Sequence, residues 1–321
     1  MSVTIAGAGA FGTALAVSLA AEGGVVRLWA RDAAQVREMT HSRQNVRALP
    51  GIALPDTIGP VETLNPDPGQ TVLVSVPTQK LRGFLGQHGA ALSGRVLVLC
   101  CKGVELDTGL RPSQVAAELV PDAAVAVLTG PSFASDIARG LPTALTLACA
   151  DAGLGRKLQA ELSTQSLRLY RVTDVTGAEL GGALKNVIAI ACGIVIGAEL
   201  GDSARAALMT RGYAEMVRLA TALGADPGTL AGLSGFGDLA LTCTSLQSRN
   251  FSFGHALGRG EAFDPGKTVE GKATARAVTA LAEARAIDMP ITRMVSAVLE
   301  EKLTIDAAVA ALLARPLKEE D

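Results

Sequence analysis

The sequence predicts an α/β chain in two parts: a domain of alternating strands and helices over residues 1–173, then an all-helical domain over residues 174–321. Three observations carry this reading. Short apolar runs, of the kind buried in a parallel sheet, recur up to about residue 172. A glycine-rich turn joins the first of them to a helix. After Asp174 strand signals largely vanish, and alanine-rich segments with helical periodicity take over.

The first apolar run, Val3 to Ala6, breaks into Gly7-Ala8-Gly9-Ala10-Phe11-Gly12 and continues as a helix over Thr13 to Ala21. A second strand, Val25 to Trp29, completes a β-α-β unit. In that context G-x-G-x-x-G is the dinucleotide-binding fingerprint of a Rossmann-type domain. Gly7 makes the tight turn, Gly9 lets the backbone approach a pyrophosphate, and Gly12 lets the helix pack closely with its N-terminal amides aimed at the anion. A merely tight turn is the competing reading in a chain so rich in alanine and glycine.

The second strand is followed by Ala30-Arg31-Asp32. An acidic residue at the strand end suits a ribose 2′-hydroxyl and an arginine suits a 2′-phosphate, so Arg31 leans the pattern towards NADPH over NADH. Asp32 reads as the N-cap of a helix over Ala33 to Met39. The alternative is a surface Arg31 paired with Asp32.

Further strands are expected at Val72 to Val76, Val96 to Cys100, Ala124 to Leu128 and Ala144 to Ala148, separated by loops rich in glycine and proline. Helices are expected at Ala178 to Glu199, Ser203 to Leu223, Lys272 to Ala286, Thr292 to Glu301 and Ile305 to Ala314. The apolar stretch Val187 to Ala198 is too short for a membrane span of about 20 residues and reads as a buried helix. The apolar N-terminus lacks the basic segment of a signal peptide. No internal repeat is visible, and the charged tail is confined to Lys318-Glu319-Glu320-Asp321.

Composition narrows the function. With 29 basic and 31 acidic residues the net charge is -2, which gives no footprint for nucleic acid, so any anion site must be local. The five cysteines (Cys100, Cys101, Cys149, Cys192, Cys243) sit in apolar surroundings without C-x-x-C spacing, and read as reduced core residues of a cytoplasmic protein. No metal site is indicated, and His41, His88 and His255 lie outside every cluster described below.

Ligands of open α/β sheets sit beyond the carboxyl ends of the strands. There the chain carries Pro77-Thr78-Gln79-Lys80, Cys101-Lys102-Gly103 and Thr129-Gly130-Pro131-Ser132-Phe133, three loops converging on one crevice. Lys102 is placed to face a nicotinamide or an anionic substrate; a solvated lysine is the alternative. Lys185 shares a helical face with Gly181, Gly182, Ile188, Ala189 and Cys192, small and apolar residues around an ammonium. Burial lowers a lysine pKa towards the range useful for proton transfer, whereas snorkelling at a helix end would leave it ordinary. In a third cluster Asp238 and Thr242 share a face if that segment is helical, and Ser248-Arg249-Asn250 offers a fork-shaped cation beside an amide, or a solvated loop.

Together these segments resemble the bacterial-type NAD(P)-dependent glycerol-3-phosphate dehydrogenases. The resemblance spans nearly the whole chain: residues 7–15 around the glycine turn, Asn45 with Leu49-Pro50, Lys102-Gly103, Gly130 to Ala134, Leu180 to Ala189, Gly237-Asp238-Leu239, Thr242-Cys243-Thr244, Ser248-Arg249-Asn250 and Val269-Glu270-Gly271. It implies a C-terminal domain like that of 6-phosphogluconate dehydrogenase, and reversible reduction of dihydroxyacetone phosphate to sn-glycerol 3-phosphate for glycerophospholipid synthesis. Lys185 then matches the proton donor and acceptor, with Lys102 and Asp238 lining the site. Ser248, Arg249 and Asn250 match the glycerol-phosphate contacts, with Gly130, Ser132 and Thr242 nearby. Ala10, Phe11, Arg31, Ala134, Thr268 and Glu270 fall at dinucleotide contacts, and Arg249 touches both ligands. Ala10 stands where many relatives carry serine, and Thr268 where a second valine is common. A homodimer through the helical domain is expected.

Two other readings compete. Another two-domain dehydrogenase, such as a 3-hydroxyacid dehydrogenase or a ketopantoate reductase, would not need the phosphate clamp. A non-catalytic NADPH sensor would not need Lys185.

Overall fold

A computed structural model describes residues 2–314, so the charged tail from Lys318 lies outside the described residues. The chain opens with β1 (Ser2–Ala6), α1 (Ala10–Ala21), β2 (Val25–Trp29), α2 (Ala33–Ser42), β3 (Ile58–Val61) and β4 (Thr71–Val74). It continues through α3 (Thr78–Leu92), β5 (Val96–Leu99), α4 (Pro112–Leu119), β6 (Ala124–Thr129), α5 (Ala134–Ala138), β7 (Thr143–Ala148), α6 (Ala152–Leu162) and β8 (Leu167–Val172). The eight strands form one sheet in the order β3-β2-β1-β4-β5-β6-β7-β8. β1 lies between β2 and β4, paired in parallel with Ala6 opposite both Trp29 and Val74. The strand order therefore reverses beside β1, and the crevice outside the carboxyl ends of β1 and β4 is the expected ligand position of a doubly wound sheet.

The central parallel strands β1, β4, β5 and β6 are mostly apolar because both faces are covered: Val3, Ile5, Leu73, Val98 and Ala126 belong to one core cluster, and Ala6, Val72, Val74, Leu97 and Val127 to another. Three features differ from the sequence-based expectation. β7 runs antiparallel to β6, because its connection carries only the five-residue α5, which packs on α1 instead of crossing a face of the sheet. β3 has Gly59 and Pro60 in its middle, a composition a sheet accepts at its edge. β8 alternates buried and exposed residues, as an edge strand does, so it shows no continuous apolar run.

The remainder is helical: α7 (Val175–Gly197), α8 (Asp202–Ala222), α9 (Pro227–Ala231), a π-helical turn (Leu233–Gly237), α10 (Asp238–Cys243), α11 (Arg249–Gly258), α12 (Glu270–Ala284), α13 (Pro290–Leu299) and α14 (Ile305–Leu313). Asp174 caps α7 by accepting a hydrogen bond from the Gly177 amide at 2.8 Å. This helix is buried on nearly every side, and is apolar apart from Thr176, Glu179, Lys185 and Asn186, because the rest of the fold surrounds it. Its 23 residues and mean hydropathy of 1.8 meet the length and composition of a membrane span, yet 94% of that window is buried inside the protein. Against α7, α11 approaches closely: a Cβ on Gly193 would fall on the Phe251 carbonyl and one on Gly254 on the Ile190 carbonyl. Bulkier side chains would force the pair apart and withdraw the start of α11 from the start of α12.

Candidate active site

The glycine turn at the end of β1 is shaped by main-chain crowding. Gly7 has φ +119°, and a Cβ there would lie 2.5 Å from the Ser75 carbonyl oxygen at the end of β4. A Cβ on Gly12 would approach the Gly7 carbonyl oxygen to 2.1 Å, so α1 sits directly on the turn. Gly9 is different, because a Cβ there would meet nothing within 4 Å. It is the exposed N-cap of α1, with room for an anion against the helix amides. Asn45 Nδ2 donates to the Ala8 carbonyl at 3.0 Å and to Thr13 Oγ1 at 2.7 Å, and Gln35 Nε2 donates to the same carbonyl at 2.9 Å. These bonds fix the turn from α2 and the loop after it. Ala10, Phe11 and Ala134 pack around Ala14, Leu49 and Ile137 where α5 meets α1.

Beyond the carboxyl ends of β5 and β6, charges converge. Lys102 Nζ donates to Asp238 Oδ2 at 2.7 Å and to the Gly130 carbonyl at 3.0 Å, and Ser132 Oγ donates to the same carbonyl at 3.2 Å. Lys185 Nζ donates to Asp238 Oδ1 at 2.5 Å and to Thr242 Oγ1 at 2.7 Å. Asp238 is fully buried and uses one oxygen for each lysine. α7 begins at Val175, so Lys185 lies about three turns in and is 6% exposed, which removes the helix-end snorkelling alternative. Lys102, with 17% of its side chain exposed, is likewise not a solvated surface lysine. Burial pushes the Lys185 ammonium down to about 8; Asp238 opposes that shift and the neighbouring Lys102 charge adds to it. The cluster of two cations on one carboxylate keeps a net positive charge, suited to an anionic ligand or a developing oxyanion.

The Ser248-Arg249-Asn250 segment is the start of α11. Ser248 Oγ caps it by accepting from the Phe251 amide at 3.2 Å, which leaves its hydroxyl hydrogen free to donate. Arg249 is exposed at the first helical position. Asn250 Oδ1 accepts from the Gly271 amide and Nδ2 donates to Asn186 Oδ1, both at 2.9 Å, so the amide orientation is fixed and one N–H remains unengaged. Glu270, the first residue of α12, has its Oε2 buried without a hydrogen-bond partner. Burial raises its carboxyl to about 7, opposed by Arg249 and by the Thr78 amide at the start of α3. A half-satisfied buried carboxylate beside the crevice, with open space over Gly9, fits a dinucleotide lying across the strand ends.

A family model described as the N-terminus of NAD-dependent glycerol-3-phosphate dehydrogenase matches residues 2–154, and one described as its C-terminus matches residues 174–310. The chain belongs to the NAD-dependent glycerol-3-phosphate dehydrogenase family. A glycerol-3-phosphate dehydrogenase [NAD(P)+] of Ruegeria sp. (strain TM1040) is 62% identical over 321 residues, covering 100% of both chains. That of Paracoccus denitrificans (strain Pd 1222) is 60% identical over 320 residues, again covering 100% of both. The crystal structure of glycerol-3-phosphate dehydrogenase from Coxiella burnetii matches with a TM-score of 0.92 at 38% identity, covering 98% of this chain and 99% of that one. Like the glycerol-3-phosphate dehydrogenases it resembles, this chain is an NAD(P)-dependent oxidoreductase, using NADPH or NADH.

Within this glycerol-3-phosphate dehydrogenase fold, the residues singled out from sequence gather in three groups. Gly7, Gly9, Ala10, Phe11, Gly12 and Ala134 surround the start of α1, and Lys102, Gly130, Ser132, Lys185, Asp238 and Thr242 form the charged cluster. Ser248, Arg249, Asn250 and Glu270 flank the starts of α11 and α12. Arg31 and Thr268 stand apart, exposed and with no side-chain hydrogen bond or ion pair to the others among the described residues. Asp32 caps α2 through the Ala34 amide at 2.8 Å and pairs with Arg47 at 2.7 Å, which overturns the alternative of an Arg31–Asp32 pair. Two residues were missed. Asn186 orients Asn250, and its only sequence signal is adjacency to Lys185. Glu179 holds the segment after Lys102, and no local pattern marks it.

Proposed function

We propose that the enzyme reduces dihydroxyacetone phosphate to sn-glycerol 3-phosphate, reversibly and with NADPH preferred, and that Lys185 is its general acid and base. The observation that carries this is the Lys185 ammonium: buried, held between Asp238 and Thr242, and lowered to about 8. The nicotinamide, when bound, supplies or accepts the hydride. Lys185 gives its proton to the ketone oxygen in reduction and takes it from the alcohol in oxidation. Asp238 aims Lys185 and, by holding Lys102 beside it, keeps a second positive charge near that oxygen. Ser248, Arg249 and Asn250 bind the substrate phosphate, with the free Asn250 N–H and the first amides of α11 adding donors to the guanidinium fork. Gly130 and Ser132 line the same side. Residues 1–173 carry the dinucleotide, with Arg31 free to meet a 2′-phosphate, and residues 174–321 carry most of the substrate contacts. The product serves glycerophospholipid synthesis, and the buried free thiols support the cytoplasm as the compartment.

The test follows NADPH oxidation with dihydroxyacetone phosphate, with dihydroxyacetone, and with keto acids such as ketopantoate. Efficient turnover is expected with the first alone. If Arg249 grips the phosphate, Arg249→Ala lowers kcat/KM for dihydroxyacetone phosphate by roughly two orders of magnitude at saturating NADPH, and changes the low rate with dihydroxyacetone much less. An equal factor for both substrates would sink the phosphate assignment. Efficient turnover of a keto acid would sink the substrate.

A further inference from the structure

The segment that leaves β5 with Lys102 continues to the start of α4 at Pro112. Within the sheet half it is braced by α3: Gln79 Nε2 donates to the Val104 carbonyl at 2.7 Å, and Arg82 pairs with Glu105 at 3.0 Å. Towards the helical half, its side-chain hydrogen bonds and ion pairs among the described residues go to two carboxylates. One is Asp238, reached by Lys102. The other is Glu179 of α7, which lies outside the chemistry described above. Glu179 Oε2 accepts from Arg111 at 2.7 Å and from Ser113 Oγ at 2.6 Å, and Oε1 accepts from the Ser113 amide at 2.7 Å. The residue is 4% exposed, and all three bonds converge on one short stretch of chain.

Helical spacing puts Glu179, Gly182 and Asn186 on one face of α7. At Gly182 an added Cβ would come within 3.6 Å of Lys102 Cγ and 2.6 Å of Thr129 Oγ1, so the stem of Lys102 runs past this face of the helix on its way to Asp238. One face of α7 therefore does two things: Glu179 grips the far end of the Lys102 segment, and Gly182 leaves room for the Lys102 side chain. Lys185, six residues after Glu179, meets the same Asp238 from the neighbouring face.

We propose that Glu179 is a positioning residue of the reaction: through Arg111 and Ser113 it holds the Lys102 segment against α7, and so fixes Lys102 relative to Lys185 and Asp238. This rests on the reading of the lysine cluster as the catalytic centre. Its removal would release Lys102 without touching substrate or cofactor.

The experiment compares Glu179→Gln and Ser113→Ala with the unsubstituted enzyme, in the presence and absence of Lys102→Met, under saturating NADPH. Ser113→Ala removes one of the three bonds and keeps the enzyme measurable if Glu179→Gln folds poorly. A displaced Lys102 is expected to lower kcat for dihydroxyacetone phosphate roughly tenfold in Glu179→Gln and roughly threefold in Ser113→Ala, on the scale that small misplacements of reacting groups carry. In the Lys102→Met background neither substitution should cost a further factor, because the residue being positioned is gone. The charged and ionisable groups that act on Lys185 are Asp238 and Cys243 from α10 and Lys102 from the end of β5. Withdrawing the Lys102 charge raises the Lys185 pKa, so the alkaline limb of the kcat/KM profile should move to higher pH in both variants, as in Lys102→Met. An unmoved limb, or the same factor lost with and without Lys102, overturns the proposal and leaves Glu179 a packing residue. If the unsubstituted enzyme fails to turn over dihydroxyacetone phosphate, the functional reading fails first, and that outcome is distinct.

Discussion

At the end of β1, in the sheet half, the cleft is lined by main chain. Gly7, Gly9 and Gly12 bring carbonyls, amides and open space to the end of β1, and the nearby contacts of Asn45 and Gln35 serve to hold a backbone carbonyl. In the helical half it is lined by side-chain charge, with Lys185, Asp238, Arg249 and Glu270 on four different helices. The buried carboxylates of that half sharpen the contrast. Glu215 accepts from the Ile291 amide at 2.6 Å and from the Thr292 amide and hydroxyl at 3.2 and 3.1 Å, and it lies away from the crevice, tying α8 to the start of α13. Glu270 leaves one buried oxygen without a hydrogen-bond partner at the start of α12, near Arg249 and the Thr78 amide. A satisfied buried acid holds the fold, whereas a half-satisfied one is poised for a ligand.

The contrast breaks or sharpens most strongly at Lys185. If Lys185 is the general acid and base proposed above, Lys185→Met should lower kcat by roughly two to four orders of magnitude while NADPH affinity stays nearly unchanged, since the glycine turn expected to meet the cofactor lies in the other half. Near-normal turnover, or equal damage to NADPH binding in a titration, would erase the division of labour.

The same lysine sets a pH dependence. If Lys185 gives the proton as proposed, reduction needs its ammonium form, so kcat/KM for dihydroxyacetone phosphate should fall as pH rises through about 8, and the reverse oxidation should rise through the same point. Up to tenfold per pH unit is expected beyond the midpoint. A limb that persists in Lys185→Met would assign the titration to another group.

Arg31, just after β2, is an exposed charge of the sheet half with no side-chain hydrogen bond or ion pair among the described residues. Arg31→Ala should weaken NADPH binding by about 1.5–3 kcal/mol relative to NADH, the scale of a charge-assisted contact. Equal losses for both nucleotides, measured by fluorescence titration, would remove the 2′-phosphate from its role.

The smallest effect separates two glycines of a single turn. Gly12→Ala drives a methyl group into the Gly7 carbonyl and should cost about 1–3 kcal/mol of stability, visible as a lower thermal midpoint. Gly9→Ala has open space and should leave that midpoint in place while weakening NADPH, since its methyl group intrudes only on the bound anion. Matching midpoints for the two variants would show that crowding does not distinguish them.

What the sequence determined by itself was local. The glycine turn between an apolar strand and a helix, the alternation of buried strands with helices, the change of character near Asp174 and a lysine among small helical residues are all patterns within a few turns of chain, set by periodicity and backbone sterics. The tertiary structure decided what depends on neighbours distant in sequence. β3 and β8 were illegible because an edge strand tolerates proline or alternation that a central strand does not. The antiparallel turn of β7 followed from where a five-residue helix found its packing partner. The helix after Ser248 is capped locally, but its place was set by tertiary contacts, since the glycines of α7 and α11 let the two pack and bring Asn250 to Asn186. The pairing of Lys185 with Asp238, 53 residues apart, and of Arg111 with Glu179, 68 apart, has no local signature. A buried charge takes whichever partner the packed helices bring within 3 Å, and only the folded chain selects it.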